Sequence, residues 1–176
     1  MKLNPGEKKI AVFRKHWFYL GLEALMFALI AILPYLMVYF GGIYFDISIP
    51  ERFVPLYELF YSLWLVFVWV GFFVSITNYL LDIWILTSER LIDVEQFGLF
   101  SRRISTLQID KIQDVTVAVS GIIEEIISSG NVSVQTAGET HEFHIPHAQN
   151  PEKMKERILT VVRVKANEIK TVRIEN

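Results

Sequence analysis

Three histidines near the end of the chain have the residue type and spacing that could bind a transition metal. His141, His144 and His147 follow one another at intervals of three, and imidazole nitrogen is a common ligand of zinc. In a β-strand, residues 141 and 144 point to opposite faces, and no cysteine or neighbouring aspartate completes a usual ligand set. We therefore predict no metal site, with these histidines on an exposed strand and loop.

The sequence contains none of the common catalytic motifs. It has no GxSxG, P-loop, HExxH or glycine-rich dinucleotide motif, and no cysteine for nucleophilic chemistry. Glu124 and Glu125 are adjacent on what we predict to be a short surface helix, which does not place two carboxylates for acid and base catalysis. We expect a protein that is not an enzyme and has no cofactor, and we identify no small-molecule substrate.

A carboxylate within the first apolar segment is a second candidate site. Glu23 lies about 9 Å inside the predicted cytoplasmic boundary at 1.5 Å per residue, and intramembrane carboxylates often carry function. Asn78 and Asp82 fall at a similar depth in the second segment. Glu23 could pair with Asn78, pair with Arg14 or Lys15, or extend to the interface; a small transporter subunit built around Glu23 is the functional alternative.

Three arginines of the first predicted strands are candidate contacts for a lipid headgroup: Arg90, Arg102 and Arg103. Acidic side chains in the same strands dilute their charge, namely Glu89, Asp93 and Glu95. A polybasic lipid site usually clusters four to eight basic residues. We expect ordinary topogenic charge here, with an anionic-lipid-sensing domain as the alternative. The net charge of −2 excludes a strongly basic nucleic-acid binder.

Two long uncharged segments must position these residues. Residues 24–45 and 59–81 contain 22 and 23 residues without a charge, and about 20 apolar residues cross a bilayer as a helix. We predict a two-helix transmembrane hairpin over residues 17–81, with helices at about 17–45 and 56–81. The first run is too long for the apolar region of a cleavable signal peptide.

The distribution of basic residues predicts the orientation of this hairpin. Residues 1–16 carry five Lys and Arg, whereas the loop at 46–58 carries only Arg52. Basic residues favour the cytoplasmic side, so we expect a multi-pass protein of the cytoplasmic (inner) membrane with both termini in the cytoplasm. The absence of cysteine fits a reducing compartment.

After residue 82 the pattern changes to short alternating runs separated by turn residues. Val115, Val117 and Val119 show the period of two that is typical of a half-buried strand. Turns are expected at Gly98 and at residues 137–139. Asn150 and Pro151 then begin an amphipathic helix with an apolar stripe at Met154, Ile158, Val161 and Val162.

About six strands closed by one helix predict an α+β membrane protein, with an antiparallel β-barrel or sandwich capped by a C-terminal helix. We divide the chain into a cytoplasmic N-terminal segment at 1–16, the hairpin at 17–81, a cytoplasmic domain at 82–166 and a tail at 167–176. For the last six residues the sequence does not decide between a short strand and disorder.

The stretch from residue 85 to residue 138 resembles the bacterial pleckstrin-homology-like domain (bPH2, or DUF304). The matching positions are Thr87, Arg90, Leu91, Ile92, Gly98, Ile109, Ile112, Val115, Ser120, Gly130, Val132, Val134, Thr136 and Gly138. The resemblance implies a PH-like domain directly behind two transmembrane helices, with some relatives proposed to act in envelope stress or protection. It implies no set of catalytic residues.

The function that we expect is therefore a non-enzymatic, membrane-anchored PH-like module at the cytoplasmic face of the membrane. Its partners would be the lipid bilayer and a second protein or further copies of itself. The contact surfaces that we expect are the sheet edges and the groove beside the C-terminal helix, since edges present unpaired backbone groups.

Overall fold

The computed structural model describes residues 4–46, 48–136 and 143–174, with the backbone alone for 168–174. The chain forms two compact units. Residues 1–18 and 78–176 form the unit that we call the sheet unit, and Tyr19–Thr77 form the helical unit. The helical unit is therefore inserted, in sequence, within the sheet unit.

The helical unit consists of most of two long apolar helices. Helix α1 spans Trp17–Phe45 and helix α2 spans Val54–Leu81, after a 3-10 turn at Glu51–Phe53. Both helices are long and apolar enough to cross a membrane, and both begin or end within two residues of the predicted bounds. The indole N–H of Trp64 donates to the carbonyl of Ile30 at 3.1 Å, which joins the two helices.

Four antiparallel strands form the first sheet of the sheet unit. They are β1 at Lys9–Phe13, β2 at Ile83–Thr87, β3 at Arg90–Phe97 and β4 at Ser101–Gln108. The strands lie in the order β1-β2-β3-β4. Gly98 has a φ of 66° in the loop between β3 and β4, so the predicted turn at this glycine is confirmed.

Strand β1 lies in the segment that we had assigned to a separate cytoplasmic N-terminus. Its residues pair with β2, with Val12 opposite Ile85 and Phe13 opposite Trp84. Ala11 is buried in the core beside them. The domain that we predict at 82–166 therefore also includes β1, which precedes the helical hairpin in the sequence. A five-residue strand whose partner is about 70 residues away gives no local signal of its pairing.

Three strands form the second sheet: β5 at Ile112–Ala118, β6 at Ser129–Thr136 and β7 at Phe143–Gln149. A short helix α3, Ile122–Ile126, joins β5 to β6. The turn predicted at 137–139 lies outside the described residues. The other predicted strands are present, and the α+β architecture of antiparallel sheets with a C-terminal helix is confirmed.

Helix α4 spans Pro151–Ile174 and follows Asn150, as predicted. Met154, Ile158 and Val161 are buried, and Val162 packs against the same core. The helix continues past residue 166, the predicted end of the domain, and through residues 171–174 of the last six residues, which the sequence pattern does not assign. Only residues 175 and 176 of that segment lie outside the described chain.

The core lies between the two sheets and α4. Its largest members are Trp84, Leu86 and Leu91 from the first sheet, Val115, Val132 and Ile145 from the second, and Met154 and Ile158 from the helix. The residues after β1 close the two sheets onto each other. The N–H of His16 donates to the carbonyl of His147 at 2.9 Å, and the N–H of Gln149 donates to the carbonyl of Arg14 at 3.2 Å.

Candidate functional site

A groove runs between the outer strand β1 and helix α4. Its main cavity has a volume of about 510 Å³ and is lined by Gly6, Lys8, Ile10, Ser88, Glu89, Thr160, Val161, Val164 and Lys165. A second depression shares Ile10, Thr160 and Val161 with it and extends to Glu156 and Arg157. The two therefore form one continuous surface along α4.

The groove combines apolar side chains with a strand that has no neighbour on its far side among the described residues. Ile10 on β1 is 46% exposed and Val164 on α4 is 54% exposed. Because β1 is at the end of the sheet order, its outer edge has backbone groups that are not paired within the sheet. This arrangement suits an extended segment, whose backbone could add to the sheet while its apolar side chains contact Ile10 and Val164.

A buried ion pair holds the segment that leads into β1. The Nε and Nη2 of Arg90 donate to the Oε1 and Oε2 of Glu7, each at 2.9 Å. The N–H of Asn4 donates to the same carboxylate at 2.8 Å. The Glu7 side chain is fully buried, and the hydrogen bonds from Arg90 are the main cause that lowers the pKa of Glu7 to about 2.

The turn between β2 and β3 presents Arg90 to this pair. The buried hydroxyl of Thr87 accepts from the N–H of Arg90 at 3.0 Å and from the N–H of Glu89 at 3.3 Å. The same hydroxyl donates to the carbonyl of Arg90 at 2.8 Å. These bonds fix the turn, so Arg90 meets Glu7 in a bidentate geometry. This polar cluster stabilises one end of the groove.

At the opposite end of the sheet unit, Asp82 joins the start of β2 to two other segments. Lys15 Nζ donates to Asp82 Oδ2 at 2.7 Å. The backbone N–H of Gln96 donates to Asp82 Oδ1 at 2.7 Å. Asp82 therefore connects the residues that precede α1 with the end of β3.

Asp93 is a buried acid that the sequence analysis did not single out as a site. It lies opposite Trp84 across the β2–β3 pair, and 7% of the residue is exposed. Within the described part of the chain, its Oδ1 and the indole N–H of Trp84 have no hydrogen-bond partner. Burial, followed by the nearby charges of Glu95 and Asp82, raises the pKa of Asp93 to about 7.

The Asp93→Asn variant is expected to be more stable than the parent at pH 8, with a difference that decreases toward pH 4. The folded protein keeps a proton on Asp93 up to about pH 7 that the unfolded chain releases near pH 3.8. The stability due to this group therefore falls as the pH rises from about 4 to 7 and is constant above. Lys15 and Arg103 act in the opposite direction and limit the shift. We expect the Tm to increase by about 3–6 °C at pH 8.

Thermal unfolding of the two proteins at a series of pH values measures this difference. Asp110→Asn is the matched control, because Asp110 is exposed in the turn after β4. An increase in Tm that is the same at pH 5 and pH 8 would show that Asp93 is not protonated preferentially in the folded state.

Comparison with known proteins identifies the fold. The sequence model of the family described as "Bacterial PH domain" matches residues 18–162, which is most of the chain. The chain belongs to the bacterial PH domain family. A solved structure of a DUF1696 family protein with a pleckstrin-homology domain from Shewanella loihica shares 13% identity with a TM-score of 0.39, covering 46% of this chain and 70% of that one. No curated protein matches the sequence.

The family match confirms the resemblance found in the sequence and begins after β1. Strand β1 and Glu7, which is ion-paired with Arg90, therefore precede the matched residues. Within the matched range, several motif positions have a structural role in this bacterial PH domain. Thr87 and Arg90 shape the β2–β3 turn, and Gly98 adopts a positive φ between β3 and β4.

The three arginines predicted as lipid contacts do not form one cluster. Arg90 pairs with Gln108 in the β3–β4 register, whereas Arg102 pairs with Gln96. Six residues of strand separate these positions, which is about 20 Å. Arg90 is bound to Glu7, while Arg102 and Arg103 are exposed near the β3–β4 loop. Arg103 also lies over the ring of Phe97, at 5.3 Å from its centroid.

The three polar residues predicted to lie at one membrane depth belong to different units. The Glu23 carboxylate accepts a hydrogen bond from the hydroxyl of Ser75 within the helical unit. Asn78 lies in the last turn of α2 and Asp82 follows its end, and both are part of the sheet unit. The partner of Asp82 is Lys15. Ser75 had not been considered, although serine in an apolar helix is an ordinary partner for such a carboxylate.

The histidines are described only in part. His144 Nδ1 lies 3.2 Å from the hydroxyl of Ser133. His147 Nδ1 lies 3.6 Å from Glu124 Oε1, and His147 has a φ of 54°. His141 is outside the described residues. In the part of the chain that the structure describes, no group of three potential metal ligands is present, and the absence of a metal stays a prediction.

Proposed function

We propose that this bacterial PH domain protein is a non-enzymatic module anchored by α1 and α2 in the cytoplasmic membrane, with both termini in the cytoplasm. We further propose that the groove between β1 and α4 binds an extended segment of a protein partner. The observation that carries the proposal is the groove itself, which lies between an outer strand and a helix and exposes Ile10 and Val164.

The chemistry of the groove favours a peptide that alternates apolar and polar residues. Its main cavity is lined by the apolar Ile10, Val161 and Val164 together with the charged Lys8, Glu89 and Lys165. An added strand directs every second side chain to one face, so its apolar residues would meet Ile10 and Val164 while the others remain in water. The Glu7–Arg90 pair supports this mode because it fixes the wall of the groove before a partner arrives.

Photo-crosslinking of the full-length protein in its native host tests this proposal. A photo-crosslinking amino acid at Ile10 or at Val164 should capture the same partner, and mass spectrometry should place the captured residues in one short segment of it. The same amino acid at Thr116, which is exposed on β5 and lines neither depression of the groove, should capture much less. Equal capture at all three positions would contradict the proposal.

Two substitutions make the test specific for the groove. Thr160→Arg places a long charged side chain in the groove lining and should abolish capture from position 164. Thr116→Arg places the same side chain at an exposed position of β5 and should leave it unchanged. Loss of capture with Thr116→Arg alone would show that the partner binds at β5 and not in the groove. Crosslinks between two copies of this chain would show that the groove binds a second copy of the chain and not another protein.

A further inference from the structure

One end of the sheet unit holds both connections to the long helices. Lys15, two residues before α1, and Asp82, directly after α2, form an ion pair there. We call this the helix end of the sheet unit, and the end that carries the β2–β3 turn the distal end.

The loop between β3 and β4 projects from the helix end. Ile83, the first residue of β2, pairs with Val94. Strand β3 then continues through Phe97, which is three residues or about 10 Å beyond the start of β2. The contact between Asp82 and the N–H of Gln96 holds this extension at the level of Asp82.

Helix α3 lies at the same end. It connects the end of β5 to the start of β6, where Ser129 pairs with Gln149 of β7. The neighbouring residue Ala148 forms a bridge with Lys15. Glu124 of α3 lies 3.6 Å from His147, whose carbonyl accepts from the N–H of His16. Two separate loops therefore flank the points where the chain enters α1 and leaves α2.

Both loops expose large apolar side chains that are unusual for a water-facing surface. Phe100 is 97% exposed, and Ile122 and Ile126 are each 76% exposed. Phe97 and Leu99 beside Phe100 are also exposed. Contiguous apolar surface of this kind indicates a contact with a partner or a membrane.

The turn between β4 and β5, at the distal end, has the opposite character. Between β4 and β5, Asp110 and Lys111 are exposed and Ile109 is buried. Exposed apolar side chains therefore lie on the two loops at the helix end of the sheet unit, and polar ones on the β4–β5 turn at its distal end.

The charged residues near the helix end indicate what this apolar surface contacts. Arg102 and Arg103 are exposed and follow Phe100 after one residue, Ser101. Glu124 and Glu125 lie on α3, where Glu124 is hydrogen-bonded to the N–H of Ser120. Apolar tips beside arginine are the composition of segments that lie in the interface of an anionic bilayer. The attraction to anionic lipid would come from the β3–β4 loop.

We propose that the helix end of the sheet unit rests on the cytoplasmic leaflet. Phe97, Leu99 and Phe100 of the β3–β4 loop and Ile122 and Ile126 of α3 insert among the lipids, and Arg102 and Arg103 contact lipid phosphates. This inference rests on the proposed crossing of the membrane by α1 and α2. A lipid surface is favoured over a protein because the chain enters and leaves the proposed spans at this end. The distal end, with Lys8, Ser88 and Glu89 of the groove, would then face the cytosol.

Fluorescence quenching in lipid nanodiscs tests the proposal with the full-length chain. The sequence contains no cysteine, so single cysteines can carry a polarity-sensitive fluorophore without further changes. The positions are Phe100→Cys and Ile122→Cys for the two loops, Asp110→Cys for the distal end and Phe67→Cys for the middle of α2. Nanodiscs contain phosphatidylcholine and phosphatidylglycerol at about 3:1, with or without a doxyl-labelled lipid.

Fluorophores at positions 100 and 122 should show blue-shifted emission and at least about threefold stronger quenching by doxyl lipid than the fluorophore at position 110. Arg102→Gln with Arg103→Gln should weaken quenching at position 100. Quenching at positions 100 and 122 no stronger than at position 110 would overturn the inference, as would quenching at only one of them. A blue shift without doxyl quenching would mean a protein contact, and would also overturn it.

Position 67 separates failure of this inference from failure of the proposed anchoring. Strong quenching at position 67 with none at positions 100 and 122 would leave the membrane crossing intact and remove only the lipid contact of the sheet unit. Absence of quenching at position 67 would remove the membrane crossing itself, and with it the basis of this inference.

Discussion

A chain in which residues 19–77 are replaced by a linker of about eight Gly and Ser residues is expected to fold, whereas the fragment 82–176 is not. The fragment lacks β1, which pairs with β2 along its length. It also lacks residues 14–16, which hydrogen-bond to β7 and close the two sheets. Removal of an outer strand and of this closure should expose Leu86 and Trp84 of the core and leaves β2 paired only with β3.

The linker can be short because the ends that it joins lie close together. The hydroxyl of Tyr79 donates to the carbonyl of Lys15 at 3.1 Å, and Asp82 is paired with Lys15. Both contacts are within the sheet unit, so they persist when the helical unit is removed. Near-UV circular dichroism and amide exchange in mild detergent measure the outcome, with detergent covering the apolar loops of the helix end.

Two matched controls make this result informative. The linked chain with Val12→Pro loses a residue that can pair within β1 and should behave as the short fragment does. The linked chain with Val164→Thr, changed on the exposed face of α4, should fold normally. A cooperative unfolding transition in the fragment 82–176 would contradict the view that β1 is an integral part of the domain.

The outcome of the sequence analysis depended on whether a feature is encoded locally. Helices α1 and α2 follow from uninterrupted apolar runs, and α4 from Asn150, Pro151 and one apolar stripe, so each could be recognised in isolation. Strands β2 to β7 alternate over several residues between turn residues. Strand β1 has only five residues next to a basic segment, and topogenic charge was a sufficient account of that segment.

The candidate sites were less accessible to sequence analysis because their partners are distant. The partner of Arg90 is Glu7, which is 83 residues away, and no spacing in the sequence indicates this pair. Asp93 could have been recognised, since it shares the inward face of β3 with Leu91 by alternation. Its effect on stability depends on Trp84 and Asp82, which only the fold brings near.

The direct connection between α2 and β2 is one of the two passages between the helical hairpin and the first sheet. In the structure the chain enters the helical hairpin from one strand and returns from it into the neighbouring strand. The ion pair between Lys15 and Asp82 joins the residue pair that flanks the inserted hairpin, so both connections start from one point of the sheet unit.

Replacement of Gly130 by valine is expected to prevent folding of the sheet unit. Gly130 is buried in β6, and a Cβ atom there would lie 2.9 Å from the carbonyl oxygen of Ala118 and 3.2 Å from Cγ of Pro151. The first neighbour is backbone of the adjacent strand and the second begins α4, so neither can move without disturbing the core. Gly130→Ala should already lower the Tm by several degrees, since overpacking costs about 1–3 kcal/mol, and Gly130→Val should cost more.

Gly21→Ala is the matched control, because a Cβ at Gly21 in α1 would meet no atom within 4 Å and alanine favours a helix over glycine. Thermal unfolding of the three variants and the parent in nanodiscs, followed by near-UV circular dichroism, measures the series. The expected order of Tm is Gly21→Ala equal to or above the parent, then Gly130→Ala, then Gly130→Val. A Gly130→Val protein with the Tm of the parent would mean that β5, β6 and the start of α4 can separate without loss of the core. In that case the glycine at this motif position would not be required by packing, and its place in the family pattern would need another physical cause.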